Sequence, residues 1–412
     1  MYHAAHLIIV VLYLGAPLAA FGWGLNRAVR HNRKRPLRRL RSAVLAAVVI
    51  GTFVCTTTTI VSRGRLLPTQ LVVTTYLATA FILLLQGADS VLWAIARWGL
   101  RLNSNKGSAG WYNTRAVTAL VLRATLMVGV GLPYILAVVA TYRTKAGEIQ
   151  TPMTLANWKY ETVSFRATDG TRLSGWWIPA PHGISSKTVI LCPGWSGDKS
   201  THLSLVKQLV PDDYNVLVFD FRAQGESDGQ LCSFGDLERK DVLGAVRWLR
   251  ANKPAGCQRV VGLGVGTGGA ALLAATADPS VEGQTIDAVA VYEGYDRLPD
   301  VVDAVASEVL PEPLASLAAK IGLPLAGLQV GADLSQFSPA TAAAATSPRP
   351  VLIIHGMSDR IFPFESGRAL YQSAAQPKMS LWLQQCDYNQ ALQNESAAKL
   401  VKRCFDLAGR VI

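Results

Sequence analysis

Residues 259–270 read RVVGLGVGTGGA, and Ala271-Leu272-Leu273-Ala274-Ala275 follow. Val260, Val261, Leu263 and Val265 form an apolar run of strand length. From Thr267 onward Ala and Leu dominate, residues that lose little conformational freedom in a helix. The glycines between them suit a sharp turn, because without a Cβ they adopt backbone angles closed to other residues. A buried strand that passes through a tight turn into a helix is the repeating unit of a parallel sheet covered on both faces.

Outward from this turn the same alternation recurs. Short apolar or β-branched runs predict further strands at ETVSFRAT (161–168), TRLSGWWIP (171–179), KTVILCPG (187–194) and YNVLVFDFR (214–222). AVAVYEG (288–294), PVLIIHG (350–356) and MSLWLQQC (379–386) complete a set of eight. Helical patterns fall at 200–209, 237–251, 267–277, 365–374 and 391–408. The pattern predicts an α/β fold with a mostly parallel eight-stranded sheet. Residues 298–337 interrupt it between the sixth and seventh strands. They are rich in Ala, Leu and Pro and predict a small helical cap, set at 297–337.

The amino-terminal third has a different character. The chain is 412 residues long, 50% hydrophobic and 17% charged, with a net charge of +12. That excludes a small disulfide-stapled domain and a disordered chain. Residues 1–150 hold 17 Lys and Arg against Asp89 and Glu148 alone, while residues 151–412 hold 23 against 26 acids. The folded carboxy-terminal part is therefore mildly acidic, at −3, and is no basic surface for nucleic acid.

Apolar runs at 6–25, 43–62, 71–86 and 116–141 have the lengths expected of membrane spans. The first is no cleaved signal peptide by pattern, since its basic cluster follows it. Between the first and second runs, and between the third and fourth, 13 Lys and Arg collect if Arg123 is counted; the opposite side has four. The positive-inside rule then places both termini outside and the carboxy-terminal domain extracytoplasmic. The basic stretch 27–41, wedged between two spans, reads as a topology signal in contact with anionic lipid. The expected division is a membrane region at 1–141 with about four transmembrane helices, a linker at 142–154 and a globular domain at 155–412.

The globular part resembles the α/β-hydrolase superfamily, especially its prolyl-oligopeptidase-like and serine-aminopeptidase-like bacterial members. The motifs are CPGW at 192–195, FDFRAQGESDG at 219–229, GDLERKDVLGAVRWL at 235–249, GVGTGG at 264–269 and PVLIIHGMSDRIFP at 350–363. The resemblance implies a strand-to-helix elbow of the form G-x-S-x-G whose Ser is the nucleophile. Here the elbow is Gly264-Val265-Gly266-Thr267-Gly268, and Gly266 stands at the Ser position. The acid position falls on Asp359. The His position falls on Tyr388, and no His follows His355 anywhere in the chain. Two backbone N–H groups, on Trp195 and Thr267, match the oxyanion hole. His355 reads as a histidine hydrogen-bonded within a structural loop. Asp220, Arg222, Glu226, Asp228, Glu238 and Asp241 read as loop-fixing pairs and helix-end charges.

These residues point to a membrane-anchored hydrolase-fold protein with a degenerate catalytic triad, binding a small acyl or peptide ligand, or a partner. Active relatives would hydrolyse esters, thioesters or peptides. One alternative is an active hydrolase with a remapped nucleophile, Thr267 or Ser196. A second reads Gly264, Gly266 and Gly269 as a G-x-G-x-x-G dinucleotide turn, with Glu293 as the ribose-binding acid. The leading reading needs no cofactor, and no metal-ligand spacing is present. An extracytoplasmic domain would also allow one or two disulfides, with Cys386–Cys404 as the candidate pair.

Overall fold

A computed structural model describes Ala137, Thr141 and residues 150–408, apart from 184, 196, 211–212, 310–313, 360 and 387–395. The chain divides into two compact units, Met1–Gly131 and Leu132–Ile412, and the described residues all belong to the second. The four expected spans precede Ala137 except for the end of the last one, so they lie outside the described residues. Ser196 and Tyr388 do too. Among the described residues no helix is long and apolar enough to cross a membrane.

All eight predicted strands form: β1 Glu161–Arg166, β2 Arg172–Ile178, β3 Lys187–Cys192, β4 Asn215–Phe219, β5 Arg259–Val265, β6 Ile286–Tyr292, β7 Val351–Gly356 and β8 Lys378–Leu383. They make one sheet in the order β1-β2-β4-β3-β5-β6-β7-β8. β2 pairs antiparallel with β1 and β4, and every pairing from β4 through β8 is parallel.

Parallel strands need covered crossovers, so both faces of the central strands are buried and their sequences are apolar almost throughout. Side chains alternate between the two faces. Val260, Val289, Val291, Val351 and Ile353 enter one core, and Val261, Leu263, Val265, Ala288, Ala290, Leu352 and Ile354 enter the other. The first core is closed by α3 (Glu238–Asn252), α4 (Thr267–Thr276) and α9 (Phe364–Ser373). The second is closed by α2 (Leu203–Leu209) and α10 (Ser396–Leu407). Three short helices were not signalled by periodicity: α1 (Pro152–Ala156), α5 (Val281–Gln284) and α8 (Pro339–Ala344). Each is too short to display a 3.6-residue period. What marks them is an N-cap, the side chains of Thr151, Ser280 and Ser338 accepting from the first turn. The cap insertion forms a hairpin of α6 (Leu298–Val309) and α7 (Leu314–Val330).

Two features differ from expectation at the edges of the domain. The compact unit begins ahead of the expected linker: Ala137 is buried with Tyr295, Leu323 and Ala326, and Thr141 Oγ1 donates to Gln329 Oε1 at 2.9 Å. The candidate disulfide is absent, because Cys386 and Cys404 are both free thiols. Cys404 is committed to the core, its Sγ lying 3.7 Å from the Val289 carbonyl oxygen.

Candidate active site and its filled centre

The site is assembled at the carboxyl ends of β3, β5, β6 and β7. At its centre is the elbow. Gly266 joins β5 to α4 with φ +52° and ψ −116°, a conformation that strains any L side chain. Its N–H donates to the Tyr292 carbonyl at 2.8 Å, and its carbonyl accepts from Ala270 N at 3.1 Å. The strained turn is thus retained without the serine that such a turn carries in the family the sequence resembles.

The neighbouring glycines have packing roles. A Cβ on Gly268 would lie 2.3 Å from the Pro193 carbonyl oxygen and 2.4 Å from that of Cys192. A Cβ on Gly264 would lie 2.6 Å from Gly269 Cα, and one on Gly269 would lie 2.5 Å from Val291 Cγ1. They let α4 start almost in contact with β3, β5 and β6. This corrects the dinucleotide reading. The glycines face protein rather than an open crevice. Glu293 is fully buried, its Oε1 accepting from Gly356 N at 2.9 Å, so it is not presented to a ribose.

The space above Gly266 is occupied. A Cβ there would stand 3.0 and 3.1 Å from Cε2 and Cζ of Phe362. Phe362 is 6% exposed and stacks on Tyr295, with centroids 5.7 Å apart and planes 7° from parallel. The Tyr295 hydroxyl donates to the Phe234 carbonyl, and the Phe234 ring stacks on Trp195 at 5.8 Å. A chain of four aromatic rings therefore runs from the loop after β7 to the loop after β3. None of these contacts is local in sequence, and Phe362 and Tyr295 carried no site signal of their own.

The oxyanion side is built from backbone. Thr267 is the first residue of α4, so its N–H has no acceptor within the helix and lies at the positive end of the helix dipole. The Trp195 loop is held by Gln224, whose Nε2 donates to the Gly194 and Trp195 carbonyls at 3.2 Å each. Beyond it, Asp198 accepts from the backbone and hydroxyls of Ser200 and Thr201 at 2.6–3.1 Å. Lys199 is fully buried, paired with Asp220 and Glu226 at 2.9 Å. His202 is buried under the same loop, which pushes its pKa down to about 4 and keeps it neutral. Trp195 remains 37% exposed at the mouth.

Thr267 Oγ1 makes no hydrogen bond to a histidine among the described residues. Asp228 pairs with Arg172 at 2.8 Å, and Arg222 pairs with Asp241 at 2.7 Å. Glu238 accepts from Ser233 and Gly235. These charges are structural.

The acid side is rebuilt. Asp359 Oδ1 accepts from Ile361 N at 2.7 Å and Phe362 N at 3.1 Å, which fixes the loop that carries the Phe362 ring. Burial, and then the adjacent Asp359, push the Glu293 carboxyl up to about 10, so Glu293 is an uncharged acid at neutral pH. Glu293 Oε2 and Asp359 Oδ2 receive no donor from any other group. The protonated Glu293 carboxyl carries a hydrogen that it can offer to the neighbouring Asp359.

His355 Nε2 faces the Phe362 carbonyl at 2.9 Å and Glu293 Oε2 at 3.3 Å, and burial lowers its pKa. Glu293, His355 and Asp359 bring one donor atom each within 4.8 Å of one another. As the donor to the Phe362 carbonyl, however, Nε2 has no lone pair left for a cation, and the trio fits a proton network. Sequence reasoning placed Asp359 and His355 in one motif. It did not pair them with Glu293, which lies on another strand.

The Alpha/beta hydrolase family profile matches residues 189–390. The uncharacterized protein YfhR of Escherichia coli K12 is 32% identical over 224 residues, covering 54% of this chain and 70% of YfhR. YfhR of Salmonella typhi is 30% identical over 240 residues, covering 58% of this chain and 77% of that protein. Among solved structures, the esterase Pf2001 of Pyrococcus furiosus superposes with a TM-score of 0.51 at 21% identity, covering 66% of this chain and 98% of that one. At that identity the likeness concerns the fold.

Proposed function

This chain belongs to the alpha/beta hydrolase family, and from that premise we propose that it is a membrane-anchored member that binds a small acyl or peptide ligand without hydrolysing it. The observation that carries this reading is Gly266 in a retained elbow with the Phe362 ring packed where a side chain would stand. Acyl transfer needs a nucleophile, a base that takes its proton, and an acid that orients the base. Residue 266 offers no hydroxyl. No histidine follows His355 in the chain, so the region that would supply the base has none. Asp359 Oδ1 is taken up by the backbone N–H groups of Ile361 and Phe362, and the neutral Glu293 carboxyl stands beside it.

The one part of the chemistry that survives is the part made of backbone. By resemblance, the N–H groups of Trp195 and Thr267 would donate to a carbonyl or carboxylate oxygen, and such an oxygen is what an acyl or peptide ligand presents. Anchoring rests on the four apolar runs before residue 137, and the extracytoplasmic side on their loop charges.

A fluorophosphonate probe applied to the full chain tests the catalytic half of the proposal. No covalent labelling is expected. Labelling that disappears in Thr267→Ala or Ser196→Ala would establish a displaced nucleophile and overturn the reading. A cytoplasm-only reporter fused after Ile412 tests the orientation, and high reporter activity would place the domain on the other side.

A further inference from the structure

The exposed face of the cap is apolar, and the chain enters the domain beside it. On α7, Ala315, Ala318, Ala319, Leu323 and Ala326 are buried. Leu317, Lys320, Pro324 and Leu328 are exposed. Their spacing of three, four and four residues aligns them in one stripe along the helix. Leu328 is 82% exposed and Leu317 45%. Single exposed leucines are ordinary on a protein surface, but here Leu317, Pro324 and Leu328 fall on one line of the helix, interrupted only by Lys320. α7 carries no acidic residue, and its single charge is Lys320; Asp300, Asp303 and Glu308 of the hairpin are on α6.

What meets this face is indicated by the point where the chain arrives. Thr141 Oγ1 donates to Gln329 Oε1 at 2.9 Å, one residue from Leu328, and Cys232 N donates to the Thr141 carbonyl at 2.9 Å. Ala137 is buried in the same cluster as Leu323 and Ala326. The last apolar run reaches Thr141, and two of its final residues, Ala137 and Thr141, are buried inside the domain. Residues 116–136 remain, with Arg123 their only charge. That length, at about 1.5 Å per helical residue, still matches a hydrocarbon core of about 30 Å.

We propose that the α7 stripe of Leu317, Lys320, Pro324 and Leu328 rests on the lipid bilayer surface. The leucines would enter the headgroup–acyl boundary, and Lys320 would extend its stem along lipid to bring its ammonium to phosphate. The proposal rests on the membrane anchoring above: a bilayer spanned by residues 116–136 would be joined to this domain a few residues along the chain from Thr141, which bonds Gln329 of α7. A helix with an apolar stripe, one cation and no acid suits the lipid interface better than a protein groove lined by charge.

The test uses the full chain reconstituted in phosphatidylcholine nanodiscs, with a nitroxide at Leu317→Cys, Leu328→Cys or, as a control at the far end of the sheet, Asn252→Cys. The signal of the unsubstituted chain is subtracted to remove native thiols. The expected result is greater collision with dissolved oxygen than with a water-soluble nickel chelate at 317 and 328, and the reverse at 252. Water-like accessibility at all three positions, in a chain that stays with membranes through a carbonate wash, would overturn the docking and leave the anchoring standing. Release of the chain by the wash would overturn the anchoring itself. Dipolar broadening between labels would assign the stripe to a second copy of the chain and also overturn the proposal.

Discussion

The two sides of the elbow have kept different things. On the Trp195 side the geometry is made of backbone: a helix start at Thr267, a loop tied by Gln224, and glycines that let the elements touch. On the Asp359 side the geometry is made of side chains, and these have been reassigned. Glu293 is held neutral beside Asp359, His355 holds the Phe362 carbonyl, and the Phe362 ring lies over Gly266. The comparison teaches that a turn made of backbone depends only on the fold that needs it, whatever side chain stands at its centre. A side-chain arrangement depends on the identity of each member, as Glu293, His355 and Phe362 show here.

The contrast can be broken first at Glu293, where the largest effect is expected. Its folded carboxyl is raised to about 10 against an ordinary 4.5. A raised acid favours the native state while it stays protonated in both states, so its contribution is complete below about 4.5 and is lost as pH rises toward 10. Urea unfolding across that range should show stability falling with pH. In Glu293→Gln, whose amide can donate to Asp359 at every pH, the fall should flatten. An equally steep profile in the variant would assign the slope to another group.

On the backbone side, Gly268→Ala forces a Cβ to 2.3 Å from a carbonyl oxygen that cannot move without displacing β3. A loss of about 3 kcal/mol is expected from such overpacking, read as a lower denaturation midpoint. A loss below about 1 kcal/mol would mean that the close approach of α4 to β3 is not rigid.

A smaller effect is expected in an attempt to return the chemistry. Gly266→Ser with Tyr388→His should remain inactive toward p-nitrophenyl esters, because the Ser Cβ would meet Phe362 at 3.0 Å. Adding Phe362→Leu removes the two ring atoms in the way. Hydrolysis about 100-fold above the double variant is then expected, a gain of about 2.7 kcal/mol in transition-state stabilisation. Activity already present in the double variant would show that the aromatic filling is no barrier.

Much of this architecture was legible beforehand. The eight strands follow from apolar runs, which are local, and the flat burial of both sheet faces follows from their lack of polar alternation. The short helices α1, α5 and α8 escaped because capping, not periodicity, marks them. The glycine turn was open to two readings, a hydrolase elbow or a phosphate loop. What separates them is what stands next to each glycine, and that is a contact with Cys192, Pro193 or Val291 rather than a property of the turn.

By itself the sequence determined the fold class, the absence of a hydroxyl at position 266 and the absence of any histidine beyond His355, because these depend on residue identity and local period alone. Only the tertiary structure decided what stands around the glycine elbow. Phe362 over Gly266, Glu293 against Asp359 and Thr141 against Gln329 are pairs far apart along the chain. Their energies arise from burial, packing and hydrogen bonding, quantities that exist only when the fold has brought the partners together and taken water away.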